Sequence, residues 1–90
     1  MAIKPPIPPL VLFGQNILRV RKNAGINQEE LSFRCKLDRS YISDIENGKR
    51  NISVLNILKL ACALKVHPKE LLNYPGADIK PESICEEEWN

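Results

Sequence analysis

The chain has 90 residues, 43% of them hydrophobic and 27% charged, a size and balance that suit one small domain with an adequate but thin core. Its net charge of +2 hides an asymmetry: residues 1–72 carry 12 Lys+Arg against 6 Asp+Glu (+6), while residues 73–90 carry 1 against 5 (−4). A basic body fits a nucleic-acid partner through counterion release, though the same surface charge also suits a protein that binds nothing; no stretch approaches the roughly 18 apolar residues of a membrane span, and no basic region plus apolar run marks a signal peptide, so a soluble, cytoplasmic protein without a membrane partner is expected.

Residues 1–9, MAIKPPIPP, hold four prolines, which fix φ and remove donors; they predict an extended arm and not a helix. With Lys4 its one charge, the arm reads as a plain leader. The domain proper is expected over residues 10–73. A first helix runs from about Leu10 to Ala24, where Leu12, Phe13, Ile17, Val20 and Ala24 recur at intervals of three and four, and Gln15, Arg19 and Lys22 face outward. Gly25 ends it, since the residue past a helix end favours the left-handed region.

Asn27 is placed to cap the next helix, with Glu30 three residues on. From Gln28 to Asn47 the chain reads as two short helices joined by a tight turn. Leu31 and Cys35 are spaced i, i+4 on the first, Ile42 and Ile45 i, i+3 on the second, and Leu37 plugs the corner. Asp38 is expected to cap the second helix and Gly48 to close it. Two apolar stripes converging on one corner make a helix-turn-helix. Arg39, Ser40, Ser43, Asp44 and Asn47 are left facing out, and Arg and Asn are the side chains whose donor and acceptor pairs match guanine and adenine edges. The stretch predicts a DNA-recognition unit.

After the exit loop 49–52, Ser53 caps a fourth helix, Val54–Leu64, in which only Asn56 and Lys59 are polar. A helix apolar almost all round must be covered on two sides. Its second cover is either another subunit, through Leu55, Leu58 and Leu64, or the rest of the same domain. Pro68 opens a short fifth helix ending at Leu72 or Asn73. Residues 74–90 then read as an extended acidic tail. That tail is either simply solvated, or packs Ile79, Ile84 and Trp89 on the body or a partner while its glutamates restrain non-specific DNA binding.

Cys35 and Cys62 fall on apolar helix faces and read as small buried hydrophobes; Cys85, in the tail, is open to oxidation. With no CxxC pair and one histidine, no metal site is assembled and no cofactor or small-molecule ligand is indicated. There is no glycine-rich phosphate loop, nucleophile–base pattern or pair of catalytic carboxylates, so an enzyme is not expected. His67, next to Pro68, is explained by helix-start packing or exposure to water.

The run NQEELSFRCKLDRSYISDIENGKRN resembles the helix-turn-helix of the Cro and lambda-repressor superfamily, the xenobiotic-response-element type. The resemblance spans roughly Phe13 to Leu72. It rests on NQEEL opening the first motif helix, YIS-x-IE within the second, the NGKRN exit and the Leu/Ala-rich helix that follows. LDRSYISDIENGKRN is especially similar to controller proteins of restriction-modification systems. One departure is Lys36, at a turn position where the family usually has Gly; a positive φ there would carry a modest steric cost.

The resemblance implies an all-α, five-helix lambda-repressor-like domain that binds a pseudo-palindromic double-stranded operator as a homodimer. It also implies that Gln28 touches a phosphate and supports a recognition-helix side chain, against the plainer reading of a surface glutamine. Arg39 is then the candidate base reader, bidentate to guanine, or else a phosphate clamp. Ser40 approaches a base edge or thymine methyl. Ser43 meets the backbone, and Tyr41 either does so through its hydroxyl or packs half-buried. Asp44 repels phosphates but accepts from cytosine N4, which suits a filter against wrong sequences. Asn47, Lys49, Arg50 and Asn51 lie where the family's recognition helix exits onto the sugar-phosphate backbone. Arg21 and Glu46 match a family pair that ties the first helix to the recognition helix. Autoregulation follows from the controller resemblance alone. Two other classes stand beside this one: an antitoxin that silences a partner protein, and a co-activator-like interaction module with little DNA specificity.

Overall fold

The computed structural model of the chain describes residues 8–74. These form five helices, α1 (Pro9–Asn23), α2 (Gln28–Cys35), α3 (Arg39–Glu46), α4 (Val54–Leu64) and α5 (Pro68–Leu72), with no strand among the described residues. The fold is all-α, as the patterning predicts. The readings made for most of the proline-rich arm, and for the tail beyond Tyr74 with Cys85, Ile79, Ile84, Trp89 and the glutamates, fall outside the described residues.

One proline of the expected arm belongs to the helix. Pro9 is the first residue of α1, where its missing N–H would have had no partner and its fixed φ already suits a helix. The Pro8 carbonyl accepts from the Val11 and Leu12 amides at 3.0 and 3.1 Å, so helical bonding starts immediately. At the other end α1 stops one residue early. Ala24 is exposed at the cap, and Gly25 follows with φ +74.

The caps of α2 and α4 follow the sequence. Asn27 accepts from the Glu30 amide at 2.8 Å and Ser53 from the Asn56 amide at 3.1 Å. Asp38 departs from expectation: it sits at the N-cap of α3 with extended backbone but makes no side-chain cap bond, its exposed carboxylate facing water. The turn residue Lys36 is left-handed at φ 59, as the departure from Gly foretold. Lys65, after α4, does the same at φ 58 without any signal in the sequence.

The core gathers Phe13, Ile17 and Val20 of α1, Leu31 and Cys35 of α2, Ile42 and Ile45 of α3, Leu60, Ala61, Ala63 and Leu64 of α4, and Leu71 of α5. α3 packs on α1 and α2, α4 on α2, and α5 closes the core against α1 and α4. The five-residue α5 is held by Asn16, buried on α1, which donates to the Glu70 and Leu71 carbonyls at 2.9 and 3.0 Å. Burial pushes the Cys35 thiol above its usual range.

Two assignments on α4 are corrected. Leu64 is 4% exposed and belongs to the core, so it is unavailable to a partner. Cys62, read as buried, is exposed. The cause is helical phase: at 3.6 residues per turn Leu64 lies roughly 120° round from Leu58, while Cys62 lies within about 60° of both Leu55 and Leu58. The outward stripe therefore consists of Val54, Leu55, Leu58 and Cys62, with Leu55 at 61% and Leu58 at 46% exposure.

Gly14, in the middle of α1, is a point of close approach to the end of α3. A Cβ there would lie 2.8 Å from the Glu46 carbonyl oxygen and closer still to that of Ile45. Gly14→Ala is accordingly expected to destabilise the fold by about 3 kcal/mol, the upper end for forced overpacking, although Ala is the better helix former. Urea unfolding measures this, and a neutral or stabilised variant would refute the close approach.

Candidate nucleic-acid interface

α3 is eight residues long and turns Ile42 and Ile45 into the core. That phase leaves Arg39 and Ser40 exposed at its start, Ser43 and Asp44 half-exposed along its length and Asn47 exposed at its C-cap. Lys49, Arg50 and Asn51 follow, all exposed, in the exit loop. The sharp exit is made by Gly48 at φ +73, and the Lys49 amide donates to the Asp44 carbonyl at 2.8 Å. Eight of the ten residues singled out for DNA contact thus lie in a strip along the outward side of α3 and its exit loop, and Tyr41 lies half-buried at the edge of that side. The tenth, Gln28, opens α2 beside the strip and, with Arg21, Asn27, Glu29 and Arg39, lines a polar groove of about 300 Å³.

Beneath the strip lies a buried ion pair. Arg21 donates from Nε to Glu46 Oε2 at 2.6 Å and from Nη2 to Oε1 at 3.0 Å. Its Nη1 donates to the Ile26 carbonyl at 2.9 Å. Gln28 Nε2 donates to Glu46 Oε1 at 2.9 Å. One carboxylate at the end of α3 is thereby bound to α1 and to the start of α2. Its side chain is 3% exposed and that of Arg21 9%.

Several polar groups on the strip engage one another. Asn47 Nδ2 turns back to the Ser43 carbonyl at 2.9 Å. Asp44 Oδ2 lies 3.5 Å from Arg50 Nε, so the carboxylate that faces the strip has a cation beside it. The Arg50 guanidinium carbon stands 5.4 Å from the centre of the Tyr41 ring. The Tyr41 ring is half-buried, and its hydroxyl accepts from Asn56 Nδ2 of α4 at 3.0 Å. Asn56 is not among the residues that the sequence singles out for the interface. The available signal was a polar side chain in the first turn of an otherwise apolar helix.

Among the described residues, no three His, Cys, Asp or Glu side chains gather to hold a metal ion. His67 caps α5, its Nδ1 accepting from the Lys69 amide at 3.1 Å. No helix among the described residues is long and apolar enough to cross a membrane.

The burial of the Arg21–Glu46 pair and the exposure of the Asp44–Arg50 pair predict opposite sensitivities. Glu46→Gln strands a buried guanidinium and is expected to cost about 3 kcal/mol in denaturant unfolding, little changed by salt. Asp44→Asn should alter stability by less than about 1 kcal/mol. Equal effects would contradict the geometry.

Comparison with known proteins bears on the same region. A profile described as helix-turn-helix matches residues 17–71. The control protein C.BamHI of Bacillus amyloliquefaciens is 49% identical over 65 residues, 71% of this chain and 80% of that protein. The solved restriction-modification controller protein C.AhdI from Aeromonas hydrophila is 52% identical, with a TM-score of 0.68 over 69% of this chain and 94% of its own. The controller protein C.Esp1396I, solved as a tetramer in complex with its natural 35-base-pair operator, is 30% identical, with a TM-score of 0.62 over 71% and 95% of the two chains. The chain belongs to the helix-turn-helix family of transcription regulators, and within it is similar to the controller proteins of restriction-modification systems.

Proposed function

We propose that the protein is a cytoplasmic, non-enzymatic transcription regulator that binds a pseudo-palindromic operator as a homodimer and controls its own operon, in the manner of a restriction-modification controller. The observation that carries this reading is the polar and basic strip of α3 and its exit loop, exposed to solvent above a buried ion pair. α3 enters the major groove with Arg39 and Ser40 toward base edges. Gln28, Tyr41, Ser43, Asn47, Lys49, Arg50 and Asn51 meet the phosphates on either side, and Asp44 stands against wrong sequences by repelling phosphate wherever cytosine N4 is not there to meet it.

A single α3 reads too few bases for an operator, and the bare stripe of α4 supplies the means of doubling it. Val54, Leu55 and Leu58 expose apolar surface that a two-fold partner would cover. Two recognition helices would then fall in successive major grooves, about one helical turn apart. The related C.Esp1396I tetramer sits on 35 base pairs, enough for two such dimers in a row. Because dimerisation precedes tight binding, occupancy rises steeply with protein concentration, which suits a switch that controls its own synthesis.

Fluorescence anisotropy on the DNA upstream of the protein's own reading frame, against scrambled DNA at two salt concentrations, tests this. Preference for the upstream DNA is expected to be roughly a thousandfold or more. Arg39→Ala should remove about tenfold to a hundredfold of it. Leu58→Glu should leave the fold intact but give a monomer in sedimentation and abolish tight operator binding. Equal, weak and strongly salt-sensitive binding to both DNAs would refute operator recognition there, and co-purification of an unrelated polypeptide would favour a partner-silencing role instead.

A further inference from the structure

Asn56 belongs to α4, yet its side chain reaches α3. Its amide Nδ2 donates to the Tyr41 hydroxyl at 3.0 Å, and its own backbone N–H is fixed by the Ser53 cap. A phenol has one hydrogen to give and lone pairs to accept with. Phosphate oxygens only accept. A tyrosine whose hydrogen is spent on an acceptor inside the protein has none left for a phosphate; one that accepts from inside keeps its hydrogen for the outside. Among the described residues Tyr41 accepts from Asn56 and donates to no protein acceptor. The Arg50 guanidinium carbon lies over its ring, 5.4 Å from the centre.

We infer that Asn56 is a positioning residue for DNA binding: by donating to the Tyr41 hydroxyl it sets that group as a hydrogen donor toward a DNA phosphate. The inference rests on the operator-binding reading and deepens it. It gives a residue of the bare-faced helix a part in recognition, since the same first turn of α4 carries Leu55 on its outward stripe. The contact made is with a phosphate, so it strengthens binding to all DNA alike and carries affinity more than sequence choice.

The test is a double-mutant cycle. Wild type, Asn56→Asp, Tyr41→Phe and the double variant are titrated on upstream and scrambled DNA, and each is melted alone. Asn56→Asp keeps the shape but turns the donor into an acceptor, which draws the phenol hydrogen inward. A carboxylate in the first turn of a helix is favoured by the helix dipole, so the variant should melt no lower than wild type. Its affinity is expected to fall roughly tenfold on both DNAs beyond the general repulsion of the added charge. That repulsion is shared by the Tyr41→Phe background, where the further loss should vanish; the coupling is the difference between the two. Asn56→Leu supplies a second variant, without donor or acceptor, and should fall between wild type and Asp.

An Asp penalty that is the same with and without the hydroxyl, or a Leu penalty as large as that of Asp, would overturn the inference while leaving operator binding standing. A wild-type protein that binds no DNA at all would overturn both.

Discussion

The exposed polar side of α3 is anchored by one buried carboxylate. Glu46 ends α3, where the helix dipole disfavours an anion. Both of its oxygens are nonetheless buried and taken up by Arg21 and Gln28. Desolvating such a pair consumes most of what its attraction returns, so its contribution to net stability is small while its removal in halves is costly. Its value is positional. Four donated bonds link α1, the Ile26 corner, the start of α2 and the end of α3, and a guanidinium–carboxylate fork tolerates little rotation.

That constraint matters because α3 is only eight residues long and could not hold its shape alone. It is fixed at three levels. Gly14 admits the Ile45 and Glu46 carbonyls against the backbone of α1, Ile42 and Ile45 fill the corner, and the Tyr41 hydroxyl is tied to α4. The side chains offered to a ligand therefore start from an ordered scaffold, and less freedom is lost when they bind. A controller-like regulator gains from this directly, since the preorganised strip keeps more of its contact energy for discrimination between sequences.

Much of the fold was legible in the chain because several local rules agreed. The periods of α1 to α3, the caps at Asn27 and Ser53, the glycines at 25 and 48 and the proline opening α5 all pointed to the same five helices. The errors have physical causes. In α4 nearly every position is apolar, so periodicity cannot choose a face; the phase is set by α2 and α5, and Leu64 and Cys62 were exchanged as a result. Pro9 was taken for part of an arm because proline is a breaker everywhere except at a helix start. Gly14 gave no turn signal, being needed for space and not for its φ. The Arg21–Glu46 pair joins residues 25 apart and was reached through family resemblance; spacing alone would not have found it. Tyr41 and Asn56, 15 apart, met only in three dimensions.

In the proposed reading, the pairing of Arg50 with Asp44 would make the strip weaker toward the wrong DNA than toward the right one. Free of ligand, its guanidinium is held by Asp44 at 3.5 Å and by the Tyr41 ring, with its side chain still 55% exposed. An exposed pair of that length is worth at most about 1 kcal/mol, so a phosphate displaces the carboxylate at small cost. The displaced Asp44 would then be left unpaired beside the DNA backbone, where it would repel. On random DNA nothing offsets that repulsion. On an operator that presented a cytosine amino group within reach, the carboxylate would gain a neutral donor in place of the guanidinium, and part of the penalty would be offset. In the proposed reading the ion pair would act as a threshold: an exposed pair that a phosphate can break at small cost, partly compensated where the base sequence supplies a second donor.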